Sequence, residues 1–406
     1  MWGSLRWLRR VVCPEGLLLS GRSAYLERVE FRKGRRAVAN RVVVVGAGPG
    51  GVAAARRVRE HAGDAVEVVM VERDGVAEYL PGTIPTLLGE TSRDRWRQKI
   101  ALPAVKVVPD VVDEVSGGGV RAGGRWIEAD AVVAAPGLYV DTGSVASAPG
   151  VHAFWDPGGA AAASEAVRGF QEGVVGVIIS SLPYRCPPAP YAMAMQLAAY
   201  YREHGREVQV VLTTPEEEPL QAIGGDIPGF LRDSLEAAGV EFLTGFTPAS
   251  FAEQSVSCTA GKRLDIDLAL VVPPHTRSPL LAGLPGSGPL VEVSPEFESA
   301  EPGLFVVGDA SATPLPRAAD AASAAGRAAA DAILSRLLGA ERETHLPAPE
   351  CFVGHGGGVY SRISMSFPNG LPPQGSARVD LEGPSPDLKQ RFEEAFARWR
   401  ALRGAG

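Results

Sequence analysis

Cysteine is scarce in this sequence: Cys13, Cys186, Cys258 and Cys351 are the only four in 406 residues. So few thiols cannot build the dense disulfide framework of a small secreted domain. Their spacing matches no zinc pattern and no C-x-x-C-H haem attachment, so no metal site is expected. Long apolar runs are also missing. No stretch reaches the ~18 residues needed to cross a bilayer, which excludes a polytopic membrane protein. The run 11–19 is broken by Pro14, Glu15 and Gly16, and makes a poor signal-peptide core. Arg9-Arg10 is a twin arginine without a good hydrophobic stretch behind it. Neither coiled-coil nor collagen patterning is present.

What is there is ordinary in bulk. Apolar residues make up 45% and charged residues 21%, as in a globular protein. Gly (48) and Pro (33) together stay below the level at which disorder is the better reading. The length allows two domains with additions, or three. The net charge of −7 is uneven: residues 1–40 carry +6 and the remainder −13. An acidic body excludes nucleic acid as the main partner. The basic head is either a contact for anionic lipid or a tail without a role. The fold signal begins abruptly at Asn40, so the native start is expected near Val38.

The first strong signal is Arg41-Val-Val-Val-Val-Gly-Ala-Gly-Pro-Gly-Gly-Val-Ala-Ala-Ala-Arg. A β-branched run meets a glycine turn and then small residues that suit a tightly packed helix. Gly46, Gly48 and Gly51 give G-x-G-x-x-G, with Pro49 inside it. A second β-rich run, 66–71, ends at Glu72, which lies 21 residues after Gly51. Glycines let the backbone approach a pyrophosphate at a helix N-terminus, and an acid about 20 residues on accepts from a ribose. A glycine turn in an unrelated α/β unit is the competing reading.

Further along, 105–120 reads as hairpin-rich with a turn at 117–119. The run 130–134 is a strand ending at Pro136-Gly137. A third β run at 174–180 precedes Ser181-Leu-Pro-Tyr-Arg-Cys-Pro-Pro-Ala-Pro-Tyr191. A helix over 191–201, a strand over 208–212 and a helix over 231–238 follow. Leu304-Phe-Val-Val-Gly-Asp309 reads as a strand stopping at an acidic turn. An Ala-rich helix over 317–338 would permit close contact with backbone or a flat cofactor. From 346 the tail reads as Gly/Pro-rich until a last helix over 387–402. Two βαβ-like units, starting near Arg41 and Val174, predict an α/β fold with two Rossmann-like dinucleotide-binding domains, the first split around the second. The expected divisions are a basic extension (1–39), the first part of the dinucleotide domain (40–150), a second Rossmann-like domain carrying Cys186 (151–270), the second part of the first domain (271–338) and a C-terminal region (339–406).

These residues resemble a known family. Gly46–Gly51, Glu72, Ala135-Pro-Gly137 and Val307-Gly-Asp309 look like the FAD domain of the two-dinucleotide-binding-domain disulfide reductase superfamily. Within it, Pro183-Tyr-Arg-Cys-Pro-Pro-Ala-Pro-Tyr191 is similar to the signature of sulfide:quinone oxidoreductases and of the flavoprotein subunit of flavocytochrome c sulfide dehydrogenase. Val272-Pro-Pro-His275 and Glu350-Cys-Phe352 are similar to further parts of that family, and the resemblance spans about residues 40–367. It implies FAD, with its pyrophosphate on Gly46, Gly48, Pro49 and Gly51 and its ribose on Glu72 beside Arg73. It implies Pro136 and Gly137 in the second turn, and Gly308 and Asp309 at the ribityl or pyrophosphate end. Arg317 would lie near the flavin pyrimidine ring, where a cation stabilises negative charge on reduced flavin.

The resemblance also implies that Cys186 and Cys351 form a redox pair beside the flavin, oxidising sulfide and passing electrons to a quinone or a c-type cytochrome. Arg185 is expected to lower the thiol pKa of Cys186. Cys258 reads as structural. Peripheral membrane contact and a homo-oligomer are both compatible with the family. An NADH-dependent flavin reductase and a non-catalytic flavin-binding protein stay open, although Ser181-Leu-Pro-Tyr-Arg-Cys-Pro-Pro stands where a nucleotide turn needs glycines, and prolines lack the N–H groups that cradle phosphate. The chain departs from the family in three places. No cysteine lies in 138–171. None lies in 79–88, so FAD is expected to be non-covalent. Ala192 stands where relatives carry an acid, leaving Glu78, His275 and Glu350 as candidates for proton handling. The last helix spaces Leu388, Phe392, Phe396, Trp399 and Leu402 on one face. That face fits either a membrane interface opening a path for quinone or packing on the body or a partner subunit.

Overall fold

The structure, a computed structural model, describes residues 40–145, 148–370 and 377–404. The basic head, Cys13 and the expected start near Val38 lie outside the described residues. In chain order the main strands are β1 (Asn40–Val45), β2 (Val66–Glu72), β3 (Lys106–Pro109), β4 (Ala131–Ala134), β5 (Val151–Ala153), β6 (Glu172–Ile179), β7 (Glu207–Thr213), β8 (Val240–Leu243), β9 (Leu268–Val272), β10 (Leu304–Val306), β11 (Glu350–Gly356), β12 (Val359–Ser366) and β13 (Arg378–Ser385). The main helices are α1 (Pro49–Ala62), α2 (Pro157–Gly169), α3 (Ala189–Glu203), α4 (Ile227–Ala238), α5 (Ala319–Leu338) and α6 (Leu388–Ala401).

Two parallel five-stranded sheets carry the fold, ordered β10-β4-β1-β2-β3 and β5-β9-β6-β7-β8. The central strands are near-continuous valine and isoleucine because helices or other layers cover both faces of a parallel sheet. Val42–Val45 are buried on both sides, as are Val175 and Val177–Ile179. The first sheet takes β10 from beyond the whole second sheet. The chain therefore crosses between sheets twice, and the two crossings pair with each other. Tyr139–Val140 runs antiparallel to His275–Thr276, and the Asp141 N–H donates to Pro274 O at 2.9 Å.

Helices α1 and α5 meet through small residues. A Cβ on Gly326 would fall 2.1 Å from Gly50 O, and one on Gly50 would fall 3.1 Å from Ala322 O. Close contact with backbone is thus the use made of alanine and glycine in α5. That helix starts at Ala319 rather than at Arg317, because the Arg317 carbonyl accepts from the Cys186 N–H at 3.0 Å and Arg317 stays in the preceding loop. The strand read over 304–309 likewise stops at Val306.

The tail departs most from the sequence reading. Instead of an irregular Gly/Pro-rich stretch, β11, β12 and β13 form an antiparallel sheet. Its glycines have separate jobs that hide the strand pattern. Gly356–Gly358 make the turn, all at positive φ. Gly354 lets α3 approach, since a Cβ there would fall 2.6 Å from the Gln196 side chain. Val353 and Ile363 join the core of the second sheet.

Helix α6 instead joins the core of the first sheet. Leu388, Phe392, Phe396 and Trp399 are buried. Phe396 lies 4.7 Å from Trp96 and 5.0 Å from Tyr79 between ring centroids, and Phe392 stacks on Tyr360 at 5.4 Å. Each such side chain is worth about 2 kcal/mol of burial. Of the two sequence readings for this face, packing on the body is the one realised; only Leu402 stays exposed. Among the described residues no helix is long and apolar enough to cross a membrane.

Candidate active site

The glycine turn assigns each glycine a different reason. Gly46 sits at φ 92°, and a Cβ there would meet Ala135 O at 2.5 Å, just before Pro136 and Gly137. A Cβ on Gly51 would fall 2.0 Å from Gly46 O. Gly48 differs. Its φ of −62° suits any residue, and a Cβ would meet nothing within 4 Å. Neither the chain's own packing nor its backbone angle requires glycine at 48, which borders open space at the N-terminus of α1, just before Pro49. Beside it the Glu72 carboxylate accepts from the Ala47 N–H at 2.6 Å and from the Arg73 N–H at 3.0 Å; the Arg73 side chain is exposed. A strand, a bare helix N-terminus, open space and an oriented acid form the cradle a dinucleotide phosphate and ribose require, so the residues fit FAD here. At the far end, a small cavity is lined by Gly308, Asp309, Leu315, Arg317 and Ala322.

Cys186 follows β6 in a loop held from several sides. Its φ of 54° lies in the left-handed region, uncommon for a residue with a Cβ. The Cys186 N–H donates to Arg317 O, and the Ala189 N–H donates to Cys186 O, both at 3.0 Å. The Tyr184 hydroxyl donates to Pro187 O at 3.0 Å. The Trp155 indole donates to Arg185 O at 3.2 Å, and the Arg185 guanidinium donates to Trp155 O. Cys351 comes from β11, opposite Ile363. The two cysteines, 165 residues apart in sequence, lie close enough that charge on Cys186 is the second cause, after burial, of a raised Cys351 pKa. Both are free thiols, and each keeps part of its surface open.

Arg185 pulls the Cys186 thiol down, as the sequence reading expected, but it does not set the sum. Burial first and Asp309 second push the Cys186 thiol up to about 11, and the opposing pull of Arg185 is outweighed. Asp309 is itself raised by desolvation against the attraction of Arg317 and Arg185. Cys258 is buried on a hairpin strand.

Of the three candidates for proton handling, two are engaged. Glu78 holds Arg93 through both oxygens, at 2.5 and 3.0 Å. Glu350 pairs with Arg362 at 3.1 Å and Arg398 at 3.0 Å. His275 is 4% exposed. Its Nδ1–H donates to Pro273 O at 2.9 Å, which leaves Nε2 as a buried acceptor without a partner among the described residues. Burial and then Arg185 hold its pKa down to about 4. Ala192 is buried in α3.

Two features escaped the sequence reading. Glu216, just after β7, stands at the place of a ribose-binding acid in the second sheet. It is buried and accepts from the Tyr191 hydroxyl at 2.9 Å and the Thr214 hydroxyl at 3.3 Å, and burial raises its pKa. The other is Arg403, whose buried side chain reaches the glycine turn.

No protein-family profile matches the chain. Solved structures do. The sulfide:quinone oxidoreductase of the hyperthermophilic bacterium Aquifex aeolicus superposes with a TM-score of 0.76 at 16% identity, over 90% of this chain and 92% of that one. Putidaredoxin reductase, from its covalent complex with putidaredoxin, gives 0.64 at 16% identity over 89% and 93%. A NAD-dependent persulfide reductase from A. fulgidus gives 0.60 at 17% identity over 89% and 77%. The chain has the fold of the two-dinucleotide-domain flavoprotein oxidoreductases.

Proposed function

We propose that the protein is an FAD-dependent oxidoreductase that oxidises sulfide through Cys186 and Cys351 and delivers the electrons to a quinone. What supports this reading is that Cys186 is held by its N–H on the Arg317 carbonyl, near Asp309, and that its charge acts on Cys351, 165 residues away in sequence. The likeness to a sulfide:quinone oxidoreductase supports it. FAD is taken as non-covalent, held by Gly46, Gly48, Pro49, Gly51 and Glu72, with Arg73, Pro136 and Gly137 flanking the adenosine half and Gly308, Asp309 and Arg317 the flavin half. The split of the first domain around 151–270 belongs to the same reading.

In the oxidised pair, hydrosulfide attacks one cysteine sulfur. The disulfide bond breaks as a new S–S bond forms, leaving one persulfide and one thiolate. A second hydrosulfide removes the outer sulfur as HSS⁻ and leaves a dithiol. Bound FAD would supply the two-electron acceptor that returns the dithiol to the disulfide. Arg185 and Arg317 offset the negative charge that accumulates, and the locked proline loop keeps Cys186 from leaving its position.

A pyridine nucleotide is disfavoured as donor, because Glu216 is spent on Tyr191 and prolines occupy the second turn. Burial of the α6 apolar face removes one argument for membrane contact, which keeps a soluble c-type cytochrome in view as an alternative acceptor. Anaerobic titration of the yellow protein tests the reading. Flavin absorbance should bleach with sulfide and not with NADH, and added quinone should restore it faster than cytochrome c. Bleaching by NADH alone would overturn the proposal.

A further inference from the structure

Arg403 presents a problem of charge. It is 1% exposed and among the largest fully buried side chains. Among the described residues no carboxylate pairs with it, and its Nε has no partner. Its Nη1 donates to Trp399 O at 2.9 Å and its guanidinium lies 4.1 Å over the Trp399 ring. Removing a guanidinium from water without an anion costs several kcal/mol, and two carbonyls and a ring offset only part of that. Burial accordingly draws its pKa down to about 9.

The position is fixed by the main chain. The Ala101 N–H donates to Arg403 O at 2.9 Å. Arg56, on α1, donates to Leu402 O at 3.3 Å. The remaining nitrogen, Nη2, reaches Ala47 O at 3.4 Å. Ala47 lies between Gly46 and Gly48, one residue from the open space at the N-terminus of the fourteen-residue helix α1. Two positive features therefore lie on either side of the Ala47 peptide: a helix N-terminus with unsatisfied N–H groups at the open space, and a sealed, uncompensated cation behind it.

We propose that Arg403 is the counter-charge for the phosphate groups of the bound dinucleotide, delivered to the glycine turn from the far end of the chain. This rests on the flavin-dinucleotide reading above and adds a residue to that site. Arg403 is a positioning and affinity residue; it takes no part in the sulfur chemistry.

The test compares FAD with riboflavin, which carries the same ring and no phosphate. Flavin-free full-length protein and the variants R403K, R403Q and R403M are titrated with each ligand by fluorescence, and their melting temperatures are measured with and without FAD. R403Q and R403M should lose FAD affinity by about tenfold or more, with riboflavin affinity unchanged. R403K, which keeps the charge, should retain most of the FAD preference. Without flavin, R403M should melt no lower than wild type, since an uncompensated charge has been removed, and the rise in melting temperature on adding FAD should shrink. The opposite pattern, a lower flavin-free melting temperature or failure to fold in R403M with FAD affinity intact in R403Q, would make Arg403 a helix cap and overturn the proposal. Wild-type protein that takes up neither ligand would instead overturn the flavin reading.

Discussion

The two parallel sheets start from the same plan and part at the first turn. After β1 the chain makes a glycine turn whose middle glycine faces open space, with Glu72 at the end of the next strand bonded only to backbone N–H groups. After β6 it makes a proline-rich turn around Cys186, and the corresponding acid, Glu216, is filled by Tyr191. The same strand–turn–helix frame therefore carries two different turns. One turn keeps donors free for a phosphate; the other gives them up to hold a thiol. The teaching point is that free backbone N–H groups, rather than the frame, decide whether such a unit binds a nucleotide.

That contrast can be broken at several points. The largest effect is expected from Cys186→Ser or Cys351→Ser, each of which should slow sulfide-driven flavin reduction about a thousandfold or more while leaving flavin content intact. Stopped-flow absorbance measures it, and a fast reaction in C186S would sink the cysteine mechanism while sparing the substrate. Next, Gly48→Leu should abolish most FAD uptake, by about a hundredfold in affinity, without changing the melting temperature of the flavin-free protein. Gly51→Leu should unfold it instead, because its Cβ would strike Gly46 O.

His275 gives a pH effect of intermediate size. Its folded pKa is lowered from 6.5 to about 4, so its contribution is fully present above pH 6.5 and is lost as pH falls from there through about 4. The loss amounts to about 3 kcal/mol. Denaturant midpoints between pH 7 and 4 should show that slope, and His275→Phe should flatten it. The smallest effect is Tyr191→Phe. It strips Glu216 of its hydroxyl partner and should cost about 1–3 kcal/mol, with no gain of NADH oxidation. A gain would show that the filled acid was the barrier to nucleotide binding in the second unit.

What could be read from sequence was local in origin. The glycine turn, Glu72 and the strand ahead of them are dictated by backbone geometry within about thirty residues, and the fold class followed from the repeat of that unit. The Cys186 loop was legible because prolines and cysteine are rare partners. The roles assigned to its residues remain a proposal. What was not legible depends on distant contacts. Nothing beside Glu216 in sequence shows that Tyr191 is placed against it. Arg403 reads as one of several surface cations at the end of α6. The tail sheet was hidden because its glycines serve a turn and a helix approach at once. Arg185 lowers the Cys186 thiol pKa as its adjacency suggested, but burial and Asp309 act more strongly, and neither is written in neighbouring residues.

The paired crossings, Tyr139–Val140 with His275–Thr276, have a mechanical consequence. Both passages of the chain between the sheets run through this ribbon, so a swivel of one sheet against the other would twist it. The buried His275 thus sits at the one place through which both passages of the chain between the sheets run.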